Sequence, residues 1–218
     1  MSAPAAAPLP FPAAVNRWLD ALDPRLVLAA AYVLCTGLIL WFAGDRIFAI
    51  DEWDYVVNRR EWTVENIVRP TNAHLLAVPL IVYKALLSLF GADSHLPFTI
   101  LSIVLHLGTV TMVYALLARP LGRWVALLPA LLVLFLGAGW EVMVNTAAMQ
   151  NQFGIIAGLG MLLCLERGDR RGDVWAGVLL AISLASFTIG LAFAAAATVR
   201  LLADRVTAGV TLRRIAIV

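Results

Sequence analysis

The stretch Ile50-Asp51-Glu52-Trp53-Asp54-Tyr55 sets three carboxylates beside two aromatics, inside a polar segment running from Asp45 to about His74. Carboxylates in this setting can take a proton from an attacking hydroxyl. Four cations follow closely, Arg59, Arg60, Arg69 and Lys84. A guanidinium or ammonium can neutralise a departing phosphate. Asp51 and Glu52 come directly after the apolar Ile47-Phe48-Ala49-Ile50, which should hold them near an apolar surface and partly desolvate them, making a better base. The competing reading is a solvated loop whose ions pair with one another: Arg59 and Arg60 would pair with Glu61 or lipid headgroups, and Lys84 reads equally as a snorkelling anchor.

The elements that must position these groups are apolar helices. Hydrophobic residues make up 62% of the 218 and charged ones 14%, against roughly 25% charged in soluble domains. Several runs approach the roughly 20 residues needed to cross a bilayer, and the alternation of a membrane barrel is absent. The expected fold class is all-α, a polytopic integral membrane helical bundle with a long first outer loop carrying interfacial helices. Residues 1–24 read as a disordered cytoplasmic tail, since they lack the basic start of a signal peptide, and residues 25–218 as one transmembrane module. The net charge of +2 is too small to suggest a nucleic-acid partner, and no nucleic-acid signature is present, so none is expected. Cys35 and Cys164 lie in apolar runs and suggest no disulfide.

The first span is expected over Arg25 to Gly44. His74 to Gly91 is expected to lie in the interface, with Lys84 and Ser88 on one face; the alternative is a further full span with Lys84 snorkelling. Spans then follow at Leu96 to Ala118, Trp124 to Trp140 and Asn151 to Glu166. Asp173 to Leu202 would be roughly 45 Å long as one helix, more than a 30 Å core needs. It should therefore break at Ser186-Phe187-Thr188-Ile189-Gly190 into a hairpin of short helices. On this layout only Arg46, Arg59, Arg60, Arg69 and Lys84 fall outside, in accord with the positive-inside rule. The N-terminus is then cytoplasmic and the acidic loop lies on the outer face of a multi-pass cell membrane protein. Asp54, Tyr55, His74, Glu141, Gln150 and Asn151 gather on that face as candidate substrate contacts. His106, in mid-span near Ser102 and Thr109, reads as an interhelical hydrogen-bond donor rather than a proton relay. Ile215-Ala216-Ile217-Val218 after Arg213-Arg214 reads as the start of a further span in a longer protein.

The order of first span, Ala49-Ile50-Asp51-Glu52-Trp53-Asp54-Tyr55, then Arg69-Pro70 and a helix ending in Leu89-Phe90-Gly91 resembles the start of the GT-C glycosyltransferases. These multispanning enzymes include the aminoarabinose and protein mannosyl transferases and use polyprenyl-phosphate sugars. The resemblance implies a catalytic or metal-binding acid at Asp51 with Glu52 beside it. Donor-phosphate contacts would fall to Lys84, Arg69, Arg59 and Arg60. It further implies inverting transfer of a sugar to a hydroxyl acceptor, with partners in a polyprenyl-phosphate donor, the bilayer, and an acceptor that is a glycan, lipid or protein. A divalent cation, if used, would sit at Asp51, although one Asp-Glu pair supplies too few ligands to specify a metal. Many relatives carry a second acid, often as Asp-Pro, where Ala147-Ala148-Met149-Gln150-Asn151 stands here. Gln150 cannot act as a base, and Glu141 is the candidate replacement. A non-catalytic membrane scaffold and a lipid or solute transporter are the alternatives.

Overall fold

The computed structural model describes residues 22–44, 46–48, 50–136, 139 and 145–208, without the side chains of 50, 51 and 204–208. The expectations for residues 1–21, for Asp45, Trp140 and Glu141, for the Asp51 and Arg205 side chains and for the chain after residue 208 lie outside the described part. Helices and turns account for the described chain, and no strand is present among the described residues beyond one isolated bridge between Thr71 and His74.

Helix α1, Pro24–Ala43, starts where Asp23 accepts a hydrogen bond from the Arg25 amide at 2.9 Å and Pro24 presets the first turn. It stops at Gly44, whose positive φ of 39° ends the helix. Its buried positions Pro24, Leu28, Cys35, Ile39 and Ala43 form one stripe, and Leu26, Val33 and Trp41 stand exposed. The polar segment that follows carries short helices joined by irregular stretches: α2, Ile50–Trp53, runs into a π-turn over Asp54–Asn58, and α3 spans Val64–Val68. Helix α4, Ala77–Phe90, is 14 residues long and ends at Gly91.

Helix α5, Leu96–Leu121, runs three residues past the expected Ala118 and ends at Gly122. Helix α6, Arg123–Leu134, corrects the expected span of Trp124 to Trp140. Its 12 residues rise about 18 Å, short of a bilayer core. The end of α6 is nonetheless provided for inside the bundle. The Leu134 carbonyl accepts from His106 Nε2 at 3.0 Å and from Cys35 Sγ at 3.5 Å, so α1 and α5 satisfy an orphan group of its last turn. This is the interhelical role expected for His106.

A 3₁₀ turn, Thr146–Ala148, leads into α7, Met149–Leu165. Helix α8, Arg170–Leu184, begins with Asp169 accepting from the Gly172 amide at 2.6 Å, and α9 covers Gly190–Ala208. The expected break is present between α8 and α9. It docks on the start of α4, where the Val78 amide donates to the Ala185 carbonyl at 3.2 Å.

Three segments are long and apolar enough to cross a membrane, Pro24–Ala43, Leu96–Leu121 and Thr146–Leu165. One apolar cluster joins α1, α5 and α6 through Cys35, Val110, Ala126 and Leu134. A second, around Met161, Leu165, Ala176 and Leu201, joins α7, α8 and α9. The third lies at the loop end, where Phe48, Tyr55, Leu80, Tyr83, Phe98 and Met149 pack together.

Candidate functional site

Glu52 is the anchor of the loop. It is 1% exposed, and an ionised carboxylate so placed needs partners to offset its lost hydration. The partners come from two distant elements. Glu52 Oε1 lies 2.9 Å from His95 Nε2, at the entry to α5, and accepts from the Thr146 amide at 2.9 Å and from the Thr146 hydroxyl. With Nε2 donating, His95 Nδ1 faces the Thr99 hydroxyl at 3.0 Å. Aromatic rings wall the cluster. Phe48 meets His95 at 5.2 Å and Phe98 at 5.3 Å, and Tyr83 meets Phe98 at 4.6 Å, all between ring centroids. Burial pushes the Tyr83 hydroxyl well above the usual phenol range and the Glu52 carboxylate adds to it, while nearby Thr146 opposes. The hydroxyl makes no hydrogen bond of good geometry to Thr146 or any other partner among the described residues.

Beyond this anchor the chain turns through the π-helical step, a feature frequent at functional sites. Asp54 accepts from Asn58 Nδ2 at 3.0 Å and from Arg59 Nε at 3.1 Å. Arg59, 2% exposed, spends the rest of its fork on the loop. Nη1 donates to the Arg69 carbonyl at 2.8 Å and the Asn66 carbonyl at 3.4 Å, and Nη2 to the Pro70 carbonyl at 3.4 Å and the Thr71 hydroxyl. Its ionic partner is therefore Asp54, not Glu61. Arg59 shapes the wall of the site.

Two clefts flank Tyr55. The first, of about 450 Å³, is lined by Asp54, Tyr55, Arg59, Arg69, His74 and Gln150, together with Thr71, Asn72 and Asn145. Tyr55 donates to Gln150 Oε1 at 3.2 Å across its floor. His74 contacts Phe187 at 4.5 Å between ring centroids and bonds the Thr188 hydroxyl, which ties the α8–α9 break to the site. Its rim includes a tight turn in which Asn72 and Ala73 both have positive φ, 50° and 64°. For Ala73 that conformation costs roughly 1–2 kcal/mol.

The second cleft, of about 650 Å³, is lined by Tyr55, Arg60, Trp62, Lys84, Leu87 and Ser88. Lys84 is 2% exposed and folds beneath the loop. Its ammonium donates to the carbonyls of Arg59 and, at 2.6 Å, Glu61, with the Trp62 ring centroid at 5.4 Å. Desolvation, then the Arg59 charge, lowers its pKa, and Glu61 acts in the opposite sense. Ser88 donates back to the Lys84 carbonyl at 2.9 Å.

The structure thus divides the four candidate cations. Arg59 and Arg69 border one cleft and Arg60 and Lys84 the other. Asp54, Tyr55, His74 and Gln150 come together, whereas Asn151 turns its side chain to the Ala148 carbonyl at 3.3 Å. His95, Thr146 and Asn145 are absent from the expected set. His95 reads in sequence as an isolated histidine, and only its place just before Leu96-Pro97 marks it as a helix entry. Among the described residues no three His, Cys, Asp or Glu side chains are placed to share a metal ion. No protein-family model, curated protein or solved structure matches the chain.

Proposed function

We propose that this chain is a GT-C-like membrane glycosyltransferase module that moves a sugar from a polyprenyl-phosphate donor to a hydroxyl acceptor at the outer membrane face. The observation that carries this reading is the anchoring of α2. Glu52 is pinned to the starts of two helical segments, and the same turn leads directly into a polar cleft holding Asp54, Arg69, His74 and Gln150. Rigid support next to a cleft is what positional catalysis requires. The three helices able to span a bilayer support membrane placement.

In the proposed reaction the acceptor oxygen attacks the anomeric carbon. Its proton passes to Asp51, and the bond from that carbon to the phosphate oxygen breaks, the electron pair leaving with the phosphate. Inversion follows from a single displacement. Glu52 fixes the turn that carries Asp51, a positioning role. Arg69 and Arg60, both exposed, are the cations suited to meet the phosphate, while Arg59 and Lys84 hold the walls from which they project. Gln150 offers hydrogen bonds to a sugar in place of the acid that many relatives carry. That replacement is also the observation favouring a non-catalytic scaffold.

The test is transfer from a panel of radiolabelled polyprenyl-phosphate sugars in membranes carrying the protein. Asp51→Asn should lower transfer by about 10²–10⁴-fold at equal expression, the usual contribution of a positioned base. Retained activity in that variant would remove Asp51 from the role. Absence of transfer from every donor would favour the scaffold.

A further inference from the structure

A third cleft, of about 440 Å³, lies apart from the two beside Tyr55. It opens between the C-terminal end of α1 and the start of α5, lined by Leu40, Gly44, Arg46, Ile47, Asp93 and Leu96 among others. Both helices are long and apolar enough to cross a membrane, so a cleft shared by their adjoining ends sits at the depth of lipid headgroups. Arg46 and Asp93 are exposed. Neither side chain has a hydrogen bond or ion pair among the described residues, and they do not close on each other. One cation and one anion with no ionic partner among the described residues therefore line the same cleft. Below it, Leu96, Ile100 and Val104 are 54%, 49% and 58% exposed. Their spacing of four residues lays an apolar stripe down one face of α5, and Leu40 and Ile47 stand exposed on the opposite wall.

We infer that this cleft seats the headgroup of a zwitterionic bilayer phospholipid, with its phosphate on Arg46, its ammonium on Asp93 and an acyl chain along Leu96, Ile100 and Val104. An anionic headgroup without an ammonium would still bring its phosphate to Arg46 but would leave the Asp93 carboxylate without a cationic partner. A soluble phosphoamine would leave the apolar stripe unused. The inference rests on the membrane placement of α1 and α5 and is independent of the transferase reading.

The experiment uses the purified chain in detergent micelles, supplied with equal amounts of phosphatidylethanolamine and phosphatidylglycerol of matched acyl chains, with retained lipid counted by native mass spectrometry. The wild type should hold phosphatidylethanolamine about fivefold over phosphatidylglycerol, the upper end of what one exposed charged contact contributes. Asp93→Asn should level the two, Asp93→Lys should reverse the preference, and Arg46→Gln should lower retention of both about fivefold. Equal retention of the two lipids by the wild type, or unchanged preferences in the variants, would overturn the assignment. So would displacement by free phosphoethanolamine as effective as by the lipid. Because no sugar donor enters the assay, lipid selectivity in a protein without transfer activity would sink the transferase reading and leave this one standing.

Discussion

The loop end around Glu52 and the hairpin end formed by α7, α8 and α9 each hold an apolar cluster but differ in how much buried polar bonding joins them. At the loop end, buried polar groups do the joining: Glu52 to His95 and Thr146, Arg59 to the loop carbonyls, and Lys84 to the carbonyls of Arg59 and Glu61. At the hairpin end an apolar cluster around Met161 and Leu180 does most of the joining, with the Ser183 hydroxyl donating to the Gly154 carbonyl at 2.7 Å, and small residues let the helices approach. A Cβ at Gly158 would fall 2.1 Å from the Phe193 ring, and one at Gly190 would fall 2.6 Å from the Leu184 backbone nitrogen. Between helices in lipid there is little hydrophobic drive, so close approach and dispersion hold them, and small residues permit it. A segment beside water instead gains order by burying charges only where each finds fixed partners. Precision is thus concentrated in the loop, where chemistry is proposed.

The comparison breaks most sharply at Glu52. Glu52→Ala leaves His95 and the Thr146 amide without their shared acceptor and should cost about 3–5 kcal/mol, the usual penalty for breaking a buried pair. Urea unfolding in mixed micelles would measure this. A cost below about 1 kcal/mol would mean that the anchor contributes no more than a surface pair. At the hairpin end the sharper variant is Gly190→Ala. The atoms it would strike are backbone atoms of Ser183 and Leu184, which cannot swing aside. The expected cost is about 1–3 kcal/mol, and no change in unfolding midpoint would show that the α8–α9 break yields freely.

The smallest effect is expected at Asp169, the cap of α8. Its carboxylate is held below the ordinary range first by the Gly172 amide and then by Arg167. A group whose folded pKa is depressed contributes fully above its unfolded value, and the contribution fades as pH falls through the folded one. Asp169→Asn should therefore flatten a small loss of stability on acidification below about pH 4, readable by thermal melts across acidic pH. An unchanged pH slope would separate this cap from the stability of the hairpin.

Much of the bundle was legible because its signals are local. Gly44 and Gly91 end α1 and α4 where expected and the Ser186–Gly190 stretch marks the break, whereas the expected end of α5 at Ala118 falls three residues short of Leu121. The extent of α6 was not legible, because its end depends on which groups donate to the Leu134 carbonyl, and those donors come from α1 and α5. Lys84 was placed on the correct helix, yet its burial beneath Trp62 follows from the loop folding over it.

By itself the sequence determined the helical class, three of the apolar segments able to cross a membrane, several helix ends and the crowding of acids and bases into one loop. Each of these depends on residues within about a turn of one another, where propensity, capping and hydropathy act. Only the tertiary structure decided that Glu52 rather than a solvated acid anchors the loop, that Arg59 is a strut, and that Tyr55 parts the cations into two clefts. Glu52 meets partners 43 and 94 residues away. Such pairings exist only once α5 and α7 have packed, and no local pattern encodes which side chains that packing brings together.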